Sequence, residues 1–176
     1  MKKIFPLSKV HTLLESGPVI MVSTRSGGRI NVMPMSWHTM LDFDPPLIGC
    51  VISGDSRTAA MLKASRECVI CIPTREIADK ALACGEVSGA DTDKFARFGL
   101  TPVKASAVKA PIVDECYAAI ECRLADASMS GKYDLFVLKA VKAWVDASIK
   151  HPKTIHHRGG GAFLVAGKAV RLSAAR

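Results

Sequence analysis

The chain has 176 residues, 49% of them hydrophobic and 23% charged, which is typical of one compact domain with an apolar core. We therefore predict a single domain over residues 1–176. No apolar run approaches the roughly 20 residues of a membrane span, and Met1-Lys2-Lys3 is not followed by a signal-type segment, so we expect a cytoplasmic protein with no membrane partner.

The net charge of +8 raises the question of nucleic-acid binding. The basic residues form no block of five or six, however, and aromatic residues make up only 6% of the chain. Nucleic acid is therefore not an expected partner, and a diffuse positive field is better suited to small phosphorylated ligands.

The predicted strands are short, apolar and rich in β-branched residues. A hairpin turn at Ser26-Gly27-Gly28-Arg29 joins the first two, and the sixth is expected to bend. In chain order they are Val19–Thr24, Ile30–Met35, Leu47–Ile52, Cys68–Ile72, Tyr117–Ala127, Leu135–Val145 and a closing strand over Ala162–Ala169.

In the fifth strand, Ile120, Cys122 and Leu124 alternate with Glu121 and Arg123, which predicts one buried and one exposed face.

Three short helices are predicted from N-cap and C-cap signals, over Thr58–Ser65, Ile77–Cys84 and Asp93–Phe98. Many strands with few short helices and no regular alternation favour a mainly β fold, an antiparallel barrel with helices packed outside it.

The six cysteines do not form a metal motif. Cys68 and Cys71 are three apart on a predicted strand and should point to opposite faces, so they cannot close on one ion. Buried structural thiols are the expected state, and no metal site is predicted. No Rossmann, P-loop or nucleophile-elbow motif is present, and no catalytic residue is assigned.

The segment 31–58 combines an apolar strand, hydroxyl side chains, an arginine and a helix start, which suits a phosphate attached to a flat ring. Ser56, Arg57 and Thr58 fit the phosphate end. The ring could be contacted by Met33, Met35 and Trp37. Hydrogen bonds to its edge could come from Ser36, His38 and Thr39. A purely structural explanation stays open, because alternate residues of a strand usually face a core and Ser56 can serve as an N-cap alone.

The order of motifs resembles that of the flavin reductase-like FMN-binding split-barrel family, which includes the flavoredoxins. The resemblance spans about residues 17–172 and rests on seven short matches. They are Asn31-x-x-Pro34-x-Ser36-Trp37, Asp44-Pro45-Pro46, Ser53-x-x-Ser56-Arg57-Thr58, Ser88-Gly89, Asp93-Lys94-Phe95, Glu121-Cys122-Arg123 and His157-Arg158-Gly159-Gly160.

This resemblance implies an FMN-binding split β-barrel, FMN at the interface of a homodimer, and redox chemistry by the flavin. It implies ring contacts and a ribityl-phosphate site, with weaker contributions from Lys94 and the His157-Arg158 corner. The ring residues would be Met35, Ser36, Trp37 and Thr39, and the ribityl-phosphate residues Ser53, Ser56, Arg57 and Thr58.

One segment departs from the family pattern, since Tyr133 stands where many relatives carry a histidine in G-D-H-x-L-F. The electron donor therefore stays open. Three functions are considered: an NADH- or NADPH-dependent flavin reductase, a flavoredoxin-type electron carrier that serves a redox partner protein, and a non-catalytic FMN-binding protein.

Overall fold

The computed structural model describes residues 2–172, and its main feature is an eight-stranded antiparallel sheet. The strands are β1 Lys2–Phe5, β2 Ile20–Ser26, β3 Arg29–Met35, β4 His38–Phe43, β5 Pro46–Val51, β6 Glu67–Ile72, β7 Pro102–Val103, β8 Ile112–Val113, β9 Ala118–Asp126, β10 Leu135–Asp146, β11 Ile155–Gly159 and β12 Ala162–Val165. The helices are α1 His11–Leu14, α2 Arg57–Ser65, α3 Ala78–Ala83 and α4 Lys94–Phe98, with 3-10 turns at Leu7–Lys9 and Arg75–Ile77.

The sheet has the order β3-β2-β6-β9-β10-β5-β4, and β1 also pairs with β10. One edge of β10 pairs with β9. The other edge is shared, because β5 pairs with Leu135–Lys139 and β1 pairs with the end of the same strand. The predicted bend of β10 coincides with two register shifts against β9. The antiparallel, mainly β architecture with short helices confirms the predicted fold class, a split β-barrel.

Two apolar clusters lie on the two faces of the sheet. The inner cluster joins side chains of β2, β5, β6, β9 and β10 with helices α1 and α2. The outer cluster lies between the opposite face and the chain from α3 to residue 116. Cys68 belongs to the inner cluster and Cys71 to the outer one, as alternation along β6 requires. All six cysteines are buried free thiols.

Burial raises the pKa of the Cys50 thiol far above its ordinary value. Within residues 2–172, no group of three or more His, Cys, Asp or Glu side chains could hold a metal ion. The same residues include no helix that is long and apolar enough to cross a membrane.

The closing strand predicted over Ala162–Ala169 is wrong in extent and in partner. Strand β12 ends at Val165 and pairs only with β11, in a separate two-stranded hairpin. Most side chains of β12 are exposed, which the apolar composition of the segment did not indicate. Residues His157 and Arg158, expected at a corner, lie within β11, and the turn falls at the following glycines.

The predicted exposed face of β9 is wrong at Glu121, which is completely buried. Its carboxylate accepts hydrogen bonds from the Trp144 indole at 2.7 Å and from the Ser106 amide and hydroxyl. The Ala107 and Val108 amides also donate to it. The loop over residues 105–109 therefore covers this face, a long-range contact that alternation cannot predict.

Candidate functional site

Two adjacent clefts lie along β3. The first, here the α2 cleft, has a volume of about 340 Å³ and lies beside the start of helix α2. It is lined by Asn31, Met33, Asp55, Ser56, Arg57, Thr58, residues 85–89 and Lys94. The second, here the tryptophan cleft, measures about 330 Å³. Its lining residues are Val19, Pro34, Met35, Ser36, Trp37, Val51, Leu82, His157 and Phe163.

Two methionines of β3 show that the clefts lie side by side. Met33 lines the α2 cleft and Met35 lines the tryptophan cleft. They are two residues apart on one strand, so they share a face and lie about 7 Å apart along it. The two clefts together can accept a ligand with an anionic end and an apolar end.

The α2 cleft is built around a capped helix start. Ser56 is the N-cap, and its Oγ accepts a hydrogen bond from the Ala59 amide at 3.1 Å. The first amides of the helix have no acceptor within the helix, and the helix dipole adds partial positive charge there. The cap leaves the Ser56 hydroxyl proton free to donate to an anion.

Two buried polar atoms in this cleft have no hydrogen-bond partner, Asn31 Oδ1 and Arg57 Nε. Asn31 is 2% exposed, and its Nδ2 donates to Thr58 Oγ1 at 2.9 Å, which leaves the Thr58 hydroxyl proton free. Gly89 packs so closely that a Cβ there would lie 1.9 Å from Asn31 Oδ1. Unsatisfied buried polar groups cost stability unless a ligand engages them. Arg57 Nε is a donor that an anion can engage, whereas Asn31 Oδ1 is an acceptor and needs a ligand hydroxyl or N–H.

Lys94 supplies a second cation to the α2 cleft. It is the first residue of α4, behind the Asp93 cap, and is 5% exposed. Its Nζ donates to the Cys84 carbonyl at 2.7 Å, which leaves two further N–H donors. Burial lowers the pKa of Lys94, and the same burial raises the pKa of the Cys84 thiol to about 11. An anion in the cleft would favour the charged form of Lys94.

The tryptophan cleft presents a flat apolar surface next to hydrogen-bonding groups. Trp37 is 71% exposed, although its carbonyl is fixed by the Val51 amide at 3.0 Å. The same cleft contains the His157 and Phe163 rings, which pack with centroids 5.1 Å apart. An exposed indole and an aromatic pair in one cleft are suited to a planar ligand.

His38, which follows Trp37, is held neutral. Burial lowers its pKa, Nε2 bonds the Pro18 carbonyl at 2.8 Å, and Nδ1 is buried without a partner. Because a carbonyl only accepts, the proton lies on Nε2.

Asp134 connects the segment around Tyr133 to the turn that precedes helix α2. It has a left-handed backbone with φ of 55°, and its Oδ1 accepts a hydrogen bond from the Gly54 amide at 2.9 Å. Its carbonyl accepts a second bond from the Ile52 amide at 2.9 Å. These bonds fix the turn that leads into α2. Tyr133 beside it is 53% exposed.

The structure brings together most residues predicted from sequence. Met35, Ser36, Trp37 and His157 line one cleft, and Ser56, Arg57, Thr58 and Lys94 line the other.

Three predicted residues lie outside both linings. Thr39 lines a neighbouring hollow that also contains Trp37, Ser53 contributes its carbonyl to the Ser56 amide, and Arg158 is exposed on β11. The sequence reasoning missed Leu82 and Phe163, which reach the site only through tertiary packing. Asn31 had a detectable signal, a polar side chain within an apolar strand.

Comparison with known proteins is consistent with this geometry. A family model described as a flavin reductase like domain matches residues 14–164. In sequence, the chain is 30% identical to the uncharacterized protein YddH of Escherichia coli K12, over 97% of this chain and 98% of that protein.

Two solved structures extend the likeness to the fold. An FMN-binding domain of a flavin reductases-like enzyme from Shewanella baltica superimposes with a TM-score of 0.93 at 28% identity, covering 98% of each chain. Flavoredoxin of Desulfovibrio vulgaris gives a TM-score of 0.82 at 25% identity, covering 90% of this chain and 91% of that one.

Proposed function

The chain belongs to the flavin reductase-like family, and from that premise we propose that it binds FMN and acts as an NAD(P)H-dependent flavin reductase. The observation that supports this most directly is the pair of adjoining clefts, one cationic and polar, the other flat and apolar. An FMN molecule has the same two ends.

In this proposal, the α2 cleft holds the phosphate. Arg57 and Lys94 supply charge, while the hydroxyls of Ser56 and Thr58 and the first amides of α2 supply donors. The orphaned Asn31 Oδ1 is an acceptor that would take a hydrogen bond from a ribityl hydroxyl. Met35, Ser36 and Trp37 would hold the ring, and His157 with Phe163 would close its other side.

The bound flavin supplies the hydride and electron chemistry, so the protein needs no nucleophile of its own. The side chains of the tryptophan cleft position the ring and exclude water from one side. His38 lines the neighbouring hollow beside Trp37, but its unprotonated Nδ1 is buried, so it is not offered to a donor in solution.

We also propose that the protein is a homodimer. Strand β4 lies at one end of the sheet order. Trp37 directly before it is 71% exposed, and Leu41 and Phe43 within it are 50% and 56% exposed. Exposed apolar side chains along a sheet edge favour association. Sedimentation velocity is expected to give twice the chain mass, and a monomer would contradict the proposal.

The cellular compartment is part of the same proposal. Six unpaired thiols suit a reducing compartment, so we place the protein in the cytoplasm.

An electron carrier between proteins is the second candidate function, favoured by the likeness to flavoredoxin. The two are separated by anaerobic titration of the FMN-loaded protein with NADH and, separately, NADPH, followed by flavin absorbance. If the protein is a reductase, NADH or NADPH will reduce the bound flavin on the time scale of turnover, and the flavin absorbance will fall. A carrier is bleached only by a reduced protein donor, and a protein that retains FMN but accepts electrons from neither is a non-catalytic binding protein.

A further inference from the structure

A third cavity shares no lining residue with either cleft of the proposed flavin site. This hairpin cleft is bounded by the β2–β3 turn and by residues 102–111. Its volume is about 810 Å³, more than twice that of the α2 or tryptophan cleft, and within the range of small-molecule sites. Ile30 lines it and Met35 lines the tryptophan cleft, five residues along β3, or about 16 Å.

The wall of the hairpin cleft is held in a fixed shape. Three consecutive amides, of Ser106, Ala107 and Val108, donate to the buried Glu121 carboxylate. The next amide, of Lys109, donates to Glu67 Oε2 at 2.9 Å. A loop anchored by two carboxylates is preorganised, so a ligand would not have to order it on binding.

The side chains of this cleft carry an excess of positive charge. Arg25, Lys104 and Lys109 line it and are exposed, and none forms an ion pair with any residue between 2 and 172. Glu67 is the one carboxylate in the lining, and it is engaged by the loop. The remaining lining is mostly apolar, contributed by Ile30, Pro102, Val103, Ala105, Ala107, Val108 and Pro111.

The loop amides limit which anions suit the cleft. Phosphate sites commonly use a nest of consecutive free amides, and here those amides are already bound to protein carboxylates. An anion must therefore be held by the side-chain cations, while its apolar part contacts the aliphatic and proline surface.

We propose that the hairpin cleft binds a small organic anion with an apolar body, of the aromatic carboxylate or sulfonate class, independently of the flavin. The probe is 2-naphthalenesulfonate, with neutral 2-naphthol for comparison. Isothermal titration calorimetry measures binding of each probe to the full chain with and without saturating FMN. We expect the sulfonate to bind equally in both states, more weakly as salt rises, and more tightly than naphthol.

The variant K104E/K109E reverses two of the lining charges, and K150E/K168E makes the same charge change at exposed residues outside the cleft. The first should weaken sulfonate binding at least tenfold and leave naphthol binding unchanged, while the second should change neither. If K104E/K109E fails to fold, Arg25→Gln tests the same site and should weaken sulfonate binding several-fold. Absence of sulfonate binding, equal losses in both double variants, or displacement by FMN would overturn the proposal.

Discussion

Replacing Arg57 with alanine separates a role in phosphate binding from a role in folding. Arg57 lines the α2 cleft, and its buried Nε has no partner in the described chain. As the first residue of α2 it places a cation at the positive end of the helix dipole, which opposes folding slightly. The variant should therefore unfold with a free energy equal to that of the wild type or up to about 0.5 kcal/mol higher.

The effect on FMN should be large by comparison. Losing charge-assisted hydrogen bonds to a phosphate costs about 1.5–3 kcal/mol, which raises Kd by about 10- to 150-fold. Fluorescence titration with FMN measures this change, and riboflavin, which lacks the phosphate, serves as the matched ligand control. Lys150→Ala is the control variant, since Lys150 is exposed and lines neither cleft.

Two outcomes of this titration would refute phosphate binding by Arg57. If Arg57→Ala weakens riboflavin and FMN by the same factor, the guanidinium does not contact the phosphate. If the affinity for FMN is unchanged, the phosphate is not held in the α2 cleft.

Three further predictions follow from single contacts. Gly89→Ala should weaken FMN binding and destabilise the fold by about 1–3 kcal/mol, because the added Cβ would meet Asn31 Oδ1. The control is Gly131→Ala, where a Cβ would meet nothing within 4 Å, and its melting temperature should equal that of the wild type. Glu121→Gln should lose about 1.5–3 kcal/mol at neutral pH. Burial acts to raise the pKa of Glu121, but its hydrogen bonds outweigh this and lower it, so the wild type should lose this stability as pH falls below about 4. In urea unfolding across pH the variant should lack that loss, and parallel profiles would contradict the assignment. Asp134→Gly should be about 1 kcal/mol more stable than Asp134→Ala, because glycine adopts the left-handed backbone of residue 134 without strain. Both variants should bind FMN more weakly, because both lose the carboxylate that fixes the turn before α2. Equal stability would refute backbone strain at residue 134, and unchanged FMN affinity would refute the role of Asp134 in positioning the turn.

Local signals in the sequence predicted the β2–β3 hairpin and the start of α2. The glycine pair at 27–28 has positive φ at both residues, as a tight hairpin requires, and β2 and β3 flank it as expected. The cap signals placed α2 within one residue of its observed start. These features depend on neighbours in the chain, which is why they are readable from it.

Features set by distant contacts were not predictable in the same way. Strand β4 was missed because its mixed polar and apolar residues lie at a sheet edge and are mostly exposed. Glu121 appeared exposed because nothing in β9 indicates the loop that covers it. In the site, Ser56, Arg57 and Thr58 carried a local helix-start signal, whereas Leu82 and Phe163 are brought in only by the packing of other elements.

If the two neighbouring clefts hold FMN, the visible absorption spectrum of the protein will show it. The purified full chain is incubated with FMN, passed through a desalting column and measured. We expect a yellow protein with a flavin spectrum shifted from that of free FMN, and we expect Arg57→Ala to lose its FMN on the column. A colourless protein after the same treatment, with correct folding shown by circular dichroism, would contradict FMN binding in these clefts.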